Sequence, residues 1–268
     1  MDSQRVNGAW SRFDSGDIVK YPILILGGTA EARRIADLLG ADRRYAVQLS
    51  LAGRTRSPAE HTVPLRVGGF GGVEGLARYL RAQDFVMLVD ATHPYAAQIS
   101  ANAALASKLS GVPLIALRRA PWSPQIGDRW RTTSSVSDAV AVLGPSPRRV
   151  FLTLGRQDLL PFEAAPQHRY VIRSVDPVDP PLKVPQAVYF TGRGPFKEAE
   201  EEGLLLEHDI DVVIAKNSGG PASYGKIAAA RKLGIEVVLI DRPSLPEVLK
   251  VGSVDELVRY LAHAFPPV

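Results

Sequence analysis

Two hydrophobic periods alternate along this chain, and that alternation limits its fold more than any other feature. Short runs rich in Val, Ile and Leu lie at 22–26 (PILIL), 45–50 (YAVQLS), 63–67 (VPLRV), 85–89 (FVMLV), 112–117 (VPLIAL), 149–154 (RVFLTL), 169–173 (RYVIR), 187–190 (AVYF), 211–215 (DVVIA) and 235–240 (IEVVLI). Helical periodicity fills 30–39, 73–82, 96–109, 136–143, 196–207, 223–233 and 253–264. A strand that is apolar on both faces must be covered on both faces. Such strands, alternating with helices, predict parallel sheet in an α/β fold.

The pattern also repeats. The stretch FVMLVDATHPYAAQISANAALASKLSGVPLIALRRAP at 85–121 resembles VVIAKNSGGPASYGKIAAARKLGIEVVLIDRP at 212–243. Each has a strand, a polar loop with Pro, an Ala-rich helix and a Gly-started strand ending in Arg and Pro. A helix with a Ser-Val start follows both, SVSDAVAVLG at 135–144 and SVDELVRYLAHAF at 253–265. The expectation is two Rossmann-like or flavodoxin-like parallel-sheet domains with a cleft between them, the default place for a ligand. The Pro- and Gly-rich GPSPRR at 144–149 reads as the joint. That gives an N-terminal domain at 21–144 and a C-terminal domain at 145–268, after a polar extension at 1–20.

Composition removes several classes. No apolar run approaches the length of a membrane span, and residues 1–20 lack a signal-peptide core, so a cytoplasmic protein is expected. There is no cysteine, which excludes disulfides, thiolate nucleophiles and cysteine metal sites. The five histidines, His61, His93, His168, His208 and His263, show no metal-ligand spacing, so no metal is expected. The net charge of +4 suits a phosphorylated cofactor or a polycarboxylate. No basic block or basic helix stands out for nucleic acid. The Glu run at 198–202 reads as a solvated helix face.

PILILGGTAEARRI at 22–35 places glycines where a strand meets a helix. Aligned with the dinucleotide fingerprint, Gly27 keeps the first glycine, while Thr29 and Ala32 fill the other two glycine positions. Two readings fit: a phosphate loop on a helix N-terminus, or a tight turn with Thr29 as helix cap. The second strand tips the balance toward a dinucleotide. It ends YAVQLSLAGRTR, where an NAD site usually has an acidic residue for the ribose. Ser50, Arg54, Thr55 and Arg56 stand there instead. Arginine suits a ribose 2′-phosphate, which points to NADPH rather than NADH.

Other loops carry candidate chemistry. Asp90-Ala-Thr-His-Pro-Tyr95 offers Asp90 or His93 as a proton donor, with Thr92 and His93 bordering a nicotinamide. The same residues equally suit helix entry. In the second half, Lys216-Asn217-Ser218-Gly219-Gly220, followed by Tyr224 and Lys226, reads as an anion cradle or a glycine-rich turn. Arg156 and Arg193 follow glycines at strand ends, and Arg118 with Arg119 closes a strand of the first half. Lys216, Asp90 and Tyr95 are the candidate proton donors; bulk water is a fourth. The short-chain dehydrogenase Tyr/Lys pair, the P-loop and the nucleophile elbow are all missing.

ILGGTAEAR at 25–33, LAGRT at 51–55, DATHPYA at 90–96 and AKNSGG at 215–220 together resemble the precorrin-6A reductase family of cobalamin biosynthesis, over about residues 22–265. The resemblance implies NADPH-dependent reduction of one double bond of the precorrin-6A macrocycle, giving precorrin-6B. A sister group acts on the cobalt-containing ring. It also implies Gly27, Gly28, Thr29 and Glu31 along the cofactor pyrophosphate, and Ser50, Arg54 and Thr55 near the adenosine ribose. The partner would be an anionic tetrapyrrole-derived substrate, with transient contacts to neighbouring pathway enzymes. The rival expectations are a reductase of another polycarboxylate or small carbonyl compound, and an NADP-sensing protein without turnover.

Overall fold

The computed structural model describes residues 20–53 and 61–267. The expected extension at 1–20 therefore lies almost wholly outside the described residues. The elements run β1 (Tyr21–Leu26), α1 (Ala30–Gly40), β2 (Tyr45–Leu51), β3 (Leu65–Val67), α2 (Gly72–Ala82), β4 (Met87–Asp90), α3 (Ala97–Ser110) and β5 (Leu114–Leu117). They continue with β6 (Trp130–Thr133), α4 (Val136–Leu143), β7 (Arg149–Thr153), β8 (Arg169–Ser174), β9 (Ala187–Thr191), α5 (Glu198–Glu207), β10 (Val212–Lys216), α6 (Gly225–Leu233) and β11 (Glu236–Ile240). The last are β12 (Leu249–Val251) and α7 (Val254–Ala264).

Two sheets of six strands form, and every pairing in them is parallel. Their orders are β12-β5-β4-β1-β2-β3 and β6-β11-β10-β7-β8-β9. The first matches the doubly wound order 3-2-1-4-5-6; in the second, β7 to β11 follow the same 3-2-1-4-5 arrangement and the sixth place is taken by β6, which precedes them in the chain, so each sheet has a switch point beside its central strand. It lies between β1 and β4 in one sheet and between β7 and β10 in the other.

Alternation along β1 explains the two-sided cover. Ile23 and Ile25 pack with Ile35 and Leu39 of α1 and Leu257 and Leu261 of α7. Leu24 and Leu26 face the other way, onto Leu76 and Leu80 of α2 and Ala103 and Ala106 of α3. In the second sheet Phe151, Val213 and Leu239 pack with Leu205 of α5 and Ile227 of α6.

The chain forms two compact units, one running to Arg118 and resuming at Ser244, the other spanning Arg119–Pro243. This differs from a division at 144–149. β6 pairs with β11, Val237 opposite Trp130, so β6 and α4 complete the second sheet. β12 pairs with β5, Leu249 opposite Ile115, and returns α7 to the first. Each half of the repeat thus gives its last strand and helix to the other sheet. The Pro- and Gly-rich stretch at 144–149 is a turn between α4 and β7 within one unit. Neither β6 (WRTT) nor β12 (LKV) was expected from the sequence, because a short, mostly exposed edge strand carries no apolar run.

Candidate active site

In the first unit the β1–α1 turn stands at the switch point. Gly27 N–H extends the ladder to the Ser50 carbonyl at 2.9 Å. A Cβ on Gly27 would stand 2.6 Å from Leu49 Cδ1, so a larger residue there would have to displace that packed side chain. Gly28 has φ +112, and a Cβ on it would meet nothing within 4 Å. Its backbone is therefore open for a ligand's approach, as a pyrophosphate requires. Thr29 caps α1: its Oγ1 accepts from Ala32 N–H at 3.0 Å and donates to the Ala91 carbonyl at 2.9 Å. One hydroxyl thus caps the helix and ties the β1 turn to the loop after β4. Glu31 lies in the first turn of α1, and Ser50 is buried at the end of β2. Arg54, Thr55 and Arg56 lie outside the described residues.

The loop after β4 is fixed from beneath. Asp90 has no exposed surface. Its Oδ1 accepts from Thr92 N–H at 3.1 Å and Thr92 Oγ1 at 2.6 Å, and its Oδ2 from Ser100 Oγ at 2.6 Å and Arg118 Nη2 at 2.5 Å. Burial alone would raise the Asp90 pKa. The Arg118 charge and the three donor side chains outweigh burial and hold the carboxyl below its usual range. Of the candidate proton donors, Asp90 is thus a buried, ionised anchor, and the candidate substrate ligand Arg118 is engaged with it. His93 Nδ1 accepts from Tyr95 N–H at 3.3 Å, and the two rings lie 5.5 Å apart.

The second unit has its own loops at the carboxyl ends of β7 and β10. Lys216 Nζ donates to Asp158 Oδ2 at 2.6 Å across that switch point, and both side chains are partly exposed. The loop after β10 is clamped. Asn217 exchanges hydrogen bonds with the Trp122 backbone at 2.8 and 3.0 Å. Arg119 Nε donates to the Ser218 carbonyl at 2.7 Å, Arg242 Nε to the Asn217 carbonyl at 2.8 Å, and Trp122 Nε1 to the Gly220 carbonyl at 2.9 Å. Gly219 has φ +65, and a Cβ there would stand 2.1 Å from the Ala120 carbonyl oxygen. Only glycine allows this approach.

Lys226 was expected to face a ligand, yet it is buried beneath this loop, its Nζ donating to the Ser223 carbonyl at 2.7 Å. Burial, with a smaller contribution from Arg173, lowers its pKa to about 7 against the opposing pull of Glu201. The Tyr224 hydroxyl takes a hydrogen bond from Arg231. Arg193 stands 4.0 Å from Asp176, and Arg156 opens the short 3-10 turn after β7. A hollow of about 590 Å³ borders Trp122, Phe196, Pro221 and Tyr224.

Sequence reasoning missed Asp158, Trp122, Arg242 and Ser100. Only Arg242 left a signal there, the Arg-Pro strand ending shared by both halves. Among the described residues no cluster of three or more His, Asp or Glu could hold a metal ion, and no helix is long and apolar enough to cross a membrane.

Two doubly wound sheets, with glycine-bearing loops beside their switch points, define a two-unit Rossmann-like α/β protein. The sequence profile of the precorrin-6x reductase family (CbiJ/CobK) matches residues 22–262, and the chain belongs to that family of reductases. It is 54% identical to the precorrin-6A reductase of a Sinorhizobium species, over 97% of this chain and 99% of that one. It is 49% identical to the precorrin-6A reductase of Rhodobacter capsulatus, over 91% and 98%. The solved structure of CobK precorrin-6A reductase superposes with a TM-score of 0.88 at 46% identity, covering 92% of this chain and 98% of that one.

Proposed function

We propose that the protein uses NADPH to reduce one double bond of metal-free precorrin-6A, giving the dihydro product precorrin-6B. The observation that carries this is 54% identity to a precorrin-6A reductase over 97% of the chain. The open backbone at Gly28, on a capped helix N-terminus at a switch point, supports a dinucleotide. The metal-free ring is preferred because a cobalt-precorrin-6A reductase from Priestia megaterium is only 26% identical.

NADPH supplies the hydride, and a proton completes the reduction, leaving NADP⁺ and the dihydro ring. Gly27, Gly28, Thr29 and the first turn of α1 hold the pyrophosphate. Arg54, with Ser50, Thr55 and Arg56, takes the ribose and its 2′-phosphate. Thr92 and His93 border the nicotinamide. In the second unit Lys216, Arg156 and Arg193 take carboxylates of the substrate, and the clamped loop at Asn217–Gly220 keeps its backbone preset for them.

The test is to mix purified protein, NADPH and precorrin-6A and follow nicotinamide absorbance, with cobalt-precorrin-6A as competitor. Absorbance is expected to fall with the metal-free ring. No loss with either ring sinks the reading. Arg54→Ala is expected to weaken NADPH by about tenfold or more while NADH changes little, since one charge-assisted phosphate contact is worth that much. Equal losses would remove the phosphate argument.

A further inference from the structure

We propose that Asp90 is a positioning residue for hydride transfer, acting through Thr92 and held in place by Arg118. This rests on the proposed cofactor site and deepens it.

The geometry makes Asp90 the junction of three elements. It ends β4, next to the switch point, and its carboxylate binds its own loop through Thr92, α3 through Ser100 and the end of β5 through Arg118. Arg118 Nη2 also donates to Ser100 Oγ at 3.2 Å. With no exposure, Asp90 cannot exchange a proton with a bound ring unless the loop opens. It can fix Thr92. The Thr92 amide and hydroxyl both donate to one Asp90 oxygen, so backbone and rotamer are set together. The preceding residue, Ala91, accepts from Thr29 Oγ1. An unbroken set of bonds therefore runs from Arg118 through Asp90 and the β4 loop to the glycine turn.

A cofactor anchored at that turn has its pyrophosphate placed by Gly28 and the α1 N-terminus. How its nicotinamide lies depends on the neighbouring loop, and Asp90 holds that loop. Misplacement of about 1 Å can cost about a hundredfold in rate, so a group that only holds the loop can govern the chemical step.

Asp90→Asn keeps the shape and lowers the acceptor strength. In single-turnover reduction of precorrin-6A its hydride step is expected to slow about tenfold or more, with the NADPH dissociation constant within about twofold of the unaltered protein. The isotope effect with C4-deuterated NADPH is expected to rise as that step becomes limiting. Arg118→Lys keeps the charge and is expected to retain more of the rate than Arg118→Met. A purely structural role would lower the melting temperature and leave the isotope effect of the folded fraction unchanged, which would overturn the inference. So would an Asp90→Asn protein with normal rate and isotope effect, or one losing NADPH affinity in proportion to rate. If Asp90→Asn fails to fold, Thr92→Val leaves the ion pair intact and must reproduce the slowed step; a normal rate there overturns the inference. Failure of the unaltered protein to bind NADPH overturns the cofactor site itself, and is seen before any variant is made.

Discussion

Lys226 shows how far one side chain's surroundings can depart from its sequence context. Its amine is buried under the loop after β10, and burial lowers its pKa to about 7. In the unfolded chain a lysine titrates near its ordinary value of about 10.4. Between those values the unfolded state binds more protons, so stability rises with pH across that window. Below pH 7 the full cost of a buried charge is present. Lys226→Met is therefore expected to gain most over the unaltered protein at pH 6, and to lose that advantage progressively by pH 10. The lost bond to the Ser223 carbonyl offsets the gain by about 1 kcal/mol at every pH. Urea denaturation of both proteins at pH 6, 8 and 10 checks this, and a pH-independent difference would mean the amine is not buried in the way described. The sequence reading set Lys226 in an anion cradle with the loop after β10, whereas its side chain is buried, because loop composition does not say which way a side chain turns. Glu201 failed in the same manner. It belongs to a Glu run read as solvated, yet only 2% of it is exposed, and it pairs with Arg173 under the Phe196 ring. Burial of a charge in such a run depends on a cation from β8, and no local pattern reveals that partner. Gly27, Gly28 and Thr29 were legible because their roles are local: a strand end, a positive φ and a cap.

Elements were read best where hydrophobic periodicity and cap chemistry agreed. Ser135 and Ser253 open α4 and α7, each accepting from the amide three residues on, Asp138 at 3.1 Å and Glu256 at 3.2 Å. The Ser-Val starts in the two halves are thus paired N-caps. Ser253→Ala is expected to cost about 1 kcal/mol, the usual worth of such a cap, measured as a shift in the urea midpoint at unchanged slope. Ser253→Asp is expected to restore it, being an equally good cap at the positive end of a helix. A variant whose stability does not change would mean α7 is held by packing alone, through Leu257 and Leu261. The strands that escaped notice, β6 and β12, are short edge pieces. Their pairing gives them strand form, and their side chains are too exposed to announce it.

For the whole molecule the question is which segments make one cooperative body. Composition put the joint at 144–149, where Pro and Gly cluster, but turn residues mark chain reversals as readily as boundaries. Sheet pairing decides it, since β6–α4 and β12–α7 each complete the sheet of the other half. The repeat made the equivalence of these segments visible but not their exchange, because the same sequence pattern serves either connection. A fragment ending at residue 144 lacks α7, whose Val254, Leu257 and Leu261 lie in the core beneath β1. Each buried side chain of that size contributes about 1.5–3 kcal/mol, and a domain's whole stability is about 5–15 kcal/mol. Loss of α7, together with the β12 pairing, therefore removes a decisive share. Residues 20–118 joined by a flexible linker to 244–268 keep the complete sheet and both helix layers. That chain is expected to unfold cooperatively and to bind NADPH, whereas residues 20–144 alone are expected to give a broad transition and no binding. Circular dichroism melts and calorimetric titration with NADPH distinguish the two. A well-folded 20–144 fragment would mean that the returning strand and helix are accessories to the first unit, and the division between the units would have to be redrawn.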